Sequence, residues 1–211
     1  LSAESIYFIP ISALKGDNVI EHSIEMPWYK GSPLLDYLEN VNVSGGRNLI
    51  DFRFPVQYVN WGGKQFRGYC GTISSGVIRK GERVRILPSG RTSVVSRIVT
   101  YEGDFDYAFS PMAVTLCLQD EIDISRGDMI TRENNLPAIT GNFEANVVWM
   151  DSEPMQIGKD YLIKNTTKTV KGIFTEVRYK FDPEDLHRKN TDLLHLNEIG
   201  KVKIELKNPI F

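Results

Sequence analysis

The sequence predicts a mainly β fold: two consecutive small β-barrels preceded by one strand and one helix of α/β type. Three observations carry that prediction. Beyond Ser44-Gly45-Gly46-Arg47-Asn48 the chain turns into short alternating apolar and polar stretches separated by turn residues, the pattern of half-buried strands. Between Gly68 and Gly90 glycine recurs at Gly71, Gly76 and Gly81, a density of turns suited to a small barrel whose closure removes unpaired edges. A second series of alternation starts near Gly141, bracketed from the first by Pro137. The expected division is 1–46, 47–138 and 139–211.

The elements follow in chain order. Tyr7-Phe8-Ile9-Pro10-Ile11 reads as a buried strand that breaks at Ser12-Ala13-Leu14 into a turn containing Lys15, Gly16, Asp17 and Asn18. Ser32 and Pro33 read as the N-cap and first position of a helix running to Glu39, with Leu34, Leu35 and Leu38 on an apolar face that needs a sheet to cover. One strand and one helix make a poor domain, so they are expected to pack on the rest of the chain or to end a domain that begins before Leu1. Ser44 to Asn48 then serve as a linker.

In the first barrel Val84, Ile86, Val94, Ile98, Val114, Leu116 and Leu118 are the expected inward positions, and Leu87-Pro88-Ser89-Gly90 is a turn. In the second, Ala145, Val147 and Trp149 alternate. Ile173, Thr175, Val177, Tyr179 and Phe181 then fall on one face, against Glu176, Arg178 and Lys180 on the other. Val202 to Leu206 repeats the pattern. The chain stops at Pro209-Ile210-Phe211 just after an apolar strand, so a longer natural protein is expected.

Composition narrows the function classes. The chain has 211 residues, 41% of them hydrophobic, enough to bury one to three cores. No stretch approaches the roughly 18–20 consecutive apolar residues of a spanning helix, and the N-terminus lacks the basic-then-apolar pattern of a leader. A cytoplasmic protein without a membrane partner is expected. Cys70 and Cys117 are the only cysteines, each in an apolar alternating run, and are expected as reduced core thiols. His22, His187 and His195 lack metal-ligand spacing, so no metal is predicted.

The formal charge is −2 and the sequence pI about 6.0, not the balance of a nucleic-acid binder. One local exception stands out. Arg79, Lys80, Arg83, Arg85, Arg91 and Arg97 face only Glu82 over that span, a candidate anionic docking stripe. A solvated strand face is the favoured explanation, because Arg83 and Arg85 alternate with Val84 and Ile86 as an amphipathic strand requires.

Catalytic motifs are missing. A phosphate loop needs G-x-x-x-x-G-K-[ST], so that glycines admit the phosphates while lysine and hydroxyl reach them and Mg²⁺. Gly63 to Gly68, Gly71 to Gly76 and Gly76 to Gly81 have the glycine spacing, but none supplies the lysine and hydroxyl. All three read as barrel turns. No G-x-S-x-G elbow occurs, and the carboxylates of Asp120-Glu121-Ile122-Asp123 and Asp182-Pro183-Glu184-Asp185 are explained by turn solvation and helix capping rather than by acid/base work.

One family resemblance runs through essentially the whole chain. Phe8 to Asn18, Met26-Pro27-Trp28-Tyr29 with Gly31, Leu34 to Glu39, Phe54 to Val59, Phe66 to Tyr69, Leu87 to Gly90, Glu121 to Asp128 and Val147 to Met150 resemble the large, GTPase subunit of bacterial sulfate adenylyltransferase, the CysN family. The glycine-rich barrel and Ile124 to Asp128 are shared more loosely with elongation-factor-Tu-like GTPases.

The resemblance implies the end of a GTPase domain followed by barrels of the elongation-factor-Tu domain 2 and domain 3 types. It implies a heterodimer in which a small catalytic subunit makes adenosine 5′-phosphosulfate from ATP and sulfate while the large subunit hydrolyses GTP. Ser12, Ala13 and Leu14 would then contact the guanine base, through the Ala13 backbone N–H. GTP and Mg²⁺ are implied for the parent protein, and neither is expected bound to this stretch, because the phosphate loop, the Asp-x-x-Gly switch and the Asn-Lys-x-Asp element belong upstream of Leu1. The stretch alone is expected to be inactive and to act as a scaffold and docking unit. Some relatives also carry an adenylylsulfate kinase domain. The alternative is a translation-factor-type module that binds RNA or ribosome through the Arg79 to Arg97 stripe, although no nucleic-acid partner is expected.

Overall fold

The computed structural model describes residues 7–41, 48–63, 66–181 and 187–211. The chain divides into two compact units, Leu1–Arg47 and Asn48–Phe211. The Ser44 to Arg47 part of the expected linker and the Asp182-Pro183-Glu184-Asp185 carboxylates lie outside the described residues.

In the first unit the expected strand at Tyr7–Ile11 does not form. Phe8 is 83% exposed, and a strand persists only where a neighbour takes its main-chain hydrogen bonds. Among the described residues the one β feature there is an isolated bridge between Ser12 and Asp17. The helix α1 spans Leu34–Asn40, and Pro33 is its N-cap rather than its first helical residue. Two of its orphan N–H groups find loop acceptors: Leu34 donates to the Asn18 carbonyl and Leu35 to that of Val19, both at 2.9 Å. Tyr7 stacks on Tyr37 of the helix with ring centroids 4.6 Å apart.

The second unit is mostly β. Its first sheet joins β1 (Arg53–Pro55), β2 (Tyr58–Trp61), β3 (Arg67–Thr72), β5 (Arg83–Leu87), β6 (Thr92–Thr100), β9 (Ala113–Leu118) and β10 (Met129–Arg132) in the order β1-β10-β5-β6-β9-β3-β2. The short β7 (Gly103–Phe105) pairs with β6, and β4 (Val77–Arg79) pairs with β8 (Tyr107–Phe109) as a separate ribbon. Residues 53–61 bring the two ends of the sheet together. β1 pairs with β10, the Val56 amide donates to the Asp128 carbonyl at 2.9 Å, and the Gln57 amide then donates to the Cys70 carbonyl of β3 at 2.9 Å.

Val84, Ile86, Ile98, Val114 and Leu116 are buried inside as expected. On β6, however, Val95 takes the buried position instead of Val94, ahead of a register shift between Val95 and Arg97. Gly76 is required where it stands. It has φ +80°, and a Cβ there would lie 2.4 Å from the Phe52 Cα, a conformation and a contact that only glycine tolerates.

The second sheet runs β11 (Thr140–Val148), β15 (Ile199–Ile210), β13 (Lys168–Phe181), β12 (Asp160–Asn165), with β14 (Arg188–Lys189) on β13. Ala145, Val147 and Trp149 pack against the core and Val202, Ile204 and Leu206 are buried, as their alternation predicts. β13 departs from its sequence pattern. Register shifts between Phe174 and Glu176 and between Val177 and Tyr179 move the buried set to Val170, Phe174 and Val177, leaving Ile173 and Thr175 half-buried. An inserted residue in one strand reverses which side chains face the core. Trp149, Tyr161 and Phe174 form a ring cluster with centroids 5.0 to 6.1 Å apart.

Candidate functional site

Ser12-Ala13-Leu14 forms a tight turn tied at its base. The Ser12 amide donates to the Asp17 carbonyl at 3.2 Å, and the Gly16 amide donates to the Ser12 carbonyl at 2.8 Å. The Ser12 hydroxyl oxygen accepts the Lys15 amide at 3.3 Å, a side-chain turn of the kind serine favours. Beneath the turn sits Asn18, which is buried and has φ +53°. Asparagine is one of the few residues that visit this region readily. Its Nδ2 donates to the Pro10 carbonyl at 2.9 Å and its Oδ1 accepts the Ser23 amide at 2.8 Å. The Ser23 hydroxyl donates to Asp17 Oδ1 at 2.7 Å.

The bracing leaves the tip free. Among the described residues, neither the Ala13 nor the Leu14 amide donates a hydrogen bond, and the Leu14 side chain is 97% exposed. Adjacent unpaired N–H donors beside an uncovered aliphatic side chain suit the edge of a planar polar ring, with amides for a carbonyl and leucine for a ring face. Asp17, Asn18 and Ser23 support this turn although none belongs to the Ser12-Ala13-Leu14 motif. The signal was present in Gly16-Asp17-Asn18, a run rich in residues that accept positive φ.

The basic stripe is spread over β4, β5, the following turn and β6. Arg79 lies 5.6 Å from the Tyr107 ring centroid, and Lys80 is exposed just beyond β4. Arg83 pairs with Glu133 at 2.8 Å and Arg97 with Asp104 at 2.7 Å. The Arg97 hydrogen bond holds the Asp104 carboxyl below the usual carboxylate range. Arg85 is half-buried with its Nε unpartnered, whereas Arg91 is exposed in the turn. Two of these cations thus face a carboxylate of the same fold.

Cys70 and Cys117 are free thiols, and burial pushes the Cys117 thiol up from its ordinary value. Among the described residues no group of three or more His, Cys, Asp or Glu side chains forms a metal-holding cluster, and no helix is long and apolar enough to cross a membrane.

The paired β units define a class, a translation-factor-like β fold. Crystal structures of sup35 complexed with GMPPNP and with GDP match it with TM-scores of 0.69 and 0.72 at 21% and 20% identity, covering 95% of this chain and 50% of each of those. Residues 142–211 match the family model described as GTP-eEF1A C-terminal domain-like.

Sequence comparison narrows the class. The chain is 53% identical over 210 residues to the bifunctional enzyme CysN/CysC of Rhodopirellula baltica, covering all of this chain and 32% of that protein. It is 47% identical over 211 residues to sulfate adenylyltransferase subunit 1 of Bacteroides fragilis, again over its whole length and 44% of the relative. The chain is thus similar over its whole length to sulfate adenylyltransferase subunit 1 and to CysN/CysC, and it spans about a third to less than a half of the length of these relatives.

Proposed function

We propose that the protein to which this stretch belongs is the GTPase subunit of a sulfate-activating enzyme. It couples GTP hydrolysis to the formation of adenosine 5′-phosphosulfate from ATP and sulfate by a small catalytic partner subunit. The observation that carries this reading is similarity to CysN/CysC and to subunit 1 over the whole of this chain. Within it, Ser12, Ala13 and Leu14 form the edge of the guanine pocket: the braced turn presents the free Ala13 N–H to the base carbonyl and the exposed Leu14 side chain to its ring. The residues present fit a base edge only. Phosphate and Mg²⁺ contacts lie in parts of the parent outside this sequence.

The β units serve as scaffold and docking surface, and the division at 47 and 138 is the working one for the two barrels. A shift of the barrels relative to the nucleotide domain is a standard way for a γ-phosphate to be read at a distance. The RNA-binding alternative is disfavoured by the carboxylates that pair Arg83 and Arg97.

The test uses the full-length protein with its small subunit. Adenosine 5′-phosphosulfate formation is expected to rise with GTP, and Ala13→Pro, which removes the proposed donor, to weaken GTP binding by about tenfold, the size of one hydrogen-bond contribution near its upper range. Undiminished GTP affinity with Ala13→Pro would overturn the guanine-edge role. Product formation indifferent to GTP would overturn the coupling.

A further inference from the structure

A groove of about 550 Å³ opens at one end of the first sheet, between the β2–β3 hairpin and the segment leaving β9. Trp61, Phe66 and Arg67 line one side, and Leu118, Asp120 and Glu121 line the other. The volume is that of an ordinary binding site.

Trp61 already holds a cation. The Arg67 guanidinium lies 4.4 Å from the indole centroid, a cation–π contact made within the fold. Yet Trp61 is 64% exposed, so most of its surface stays open to a ligand. The two groove arginines each have an acidic neighbour: Arg67 has Asp123 at 3.6 Å and Arg97 has Asp104 at 2.7 Å. Among the described residues the Asp120 carboxylate accepts only the Ser93 hydroxyl, at 2.7 Å, while the Asp120 amide donates back to Ser93 Oγ at 3.2 Å, and Glu121 is exposed without an ion pair. Among the described residues the charge left over in the groove is therefore negative, beside an aromatic and aliphatic floor.

We propose that this groove docks a basic, extended segment of a partner polypeptide, which lays a lysine or arginine side chain on Trp61 and turns its charge toward Glu121 and Asp120. Opposite charge at the rim and cation–π contact at the floor act on the same side chain. A nucleic-acid phosphate would meet uncompensated carboxylates instead. This surface is built from residues other than Ser12, Ala13 and Leu14 and does not depend on the guanine-edge reading.

The full 211-residue chain is titrated with a synthetic pentapeptide alternating leucine and arginine, while the Trp61 indole N–H is followed by NMR and assigned with Trp61→Phe. A saturable shift is expected, weakening as salt rises. The same peptide with glutamate in place of arginine is expected to leave the signal still. Glu121 is exposed and unpaired, so Glu121→Lys keeps the fold and is expected to weaken binding about fivefold, the scale of an exposed ion pair. The proposal falls if the basic peptide gives no shift, if the acidic peptide or a single-stranded RNA oligonucleotide shifts Trp61 equally, or if Glu121→Lys binds as well as the parent.

Discussion

In the core built around the first sheet Phe52, Phe54, Ile78, Ile86, Ile98 and Ile130 are wholly sealed from solvent, whereas in the core of the second Phe174, Val177, Leu206 and Ile210 remain 5, 8, 8 and 9% exposed. The difference follows from how each sheet is finished. Residues 53–61 link both ends of the first sheet, so one face encloses the core. The path of the second runs from β11 to β12, and its outer face carries charge instead: Glu144 with Arg178 and Lys201, Arg178 with Glu176, and Lys207 with Asp160. Where a core is sealed, packing sets stability. Where a sheet face meets water, cross-strand charge pairs help to hold register.

That contrast can be broken by mutation, beginning with the largest effect. Phe54→Ala empties a sealed site and is expected to cost about 3–5 kcal/mol, read as a fall in the urea midpoint. A loss no larger than that of a surface change would show that the first core relaxes around the cavity. Leu206→Ala strikes the looser core and is expected to cost about 2–3 kcal/mol, toward the lower end for such truncations. If its cost equals that of Phe54→Ala, the distinction between the two cores is wrong.

Glu144→Gln addresses the charged face. Hydrogen bonds from Lys201 and then Arg178 hold the Glu144 carboxyl below its ordinary value. A depressed folded-state pKa contributes stability that is present above the unfolded carboxylate range, roughly pH 4.3, and is lost as pH falls through the folded value. Thermal melts of the parent and Glu144→Gln are therefore expected to differ at pH 7 and to converge on acidification. A gap that widens at low pH would reverse the assignment. Smallest of all is Arg91→Ala, at an exposed turn position whose bonds, to Ser89 and Ile86, run through its main chain, for which melts are expected to coincide with the parent.

Much of this architecture is legible in the alternation of apolar residues. Val84 with Ile86, Val114 with Leu116, and Val202 through Leu206 are inward because period two leaves no other arrangement once a face is buried. The misses have particular causes. Val94 and Ile173 lose their expected places to Val95 and Phe174, because register shifts on β6 and β13 arise from pairing with strands distant in sequence. Tyr7–Ile11 has the composition of a strand and lacks a paired neighbour among the described residues.

The candidate sites divide in the same way. Ser12-Ala13-Leu14 is recognisable as a motif because the residues are contiguous and their chemistry is local. Asn18 beneath it, donating to Pro10 and accepting from Ser23, shows only when the loop folds back on itself.

Amino-acid order alone, then, decides the β class, the turn glycines, the family resemblance and the absence of a phosphate loop from these residues, since each depends on near neighbours or on a contiguous pattern. Tertiary structure decides which face of β13 is buried, which cations of the Arg79 to Arg97 stripe meet a carboxylate, and that Trp61, Arg67, Asp120 and Glu121 border one groove. Those outcomes depend on strands far apart in the chain settling into register, and no local pattern specifies where a bulge will fall.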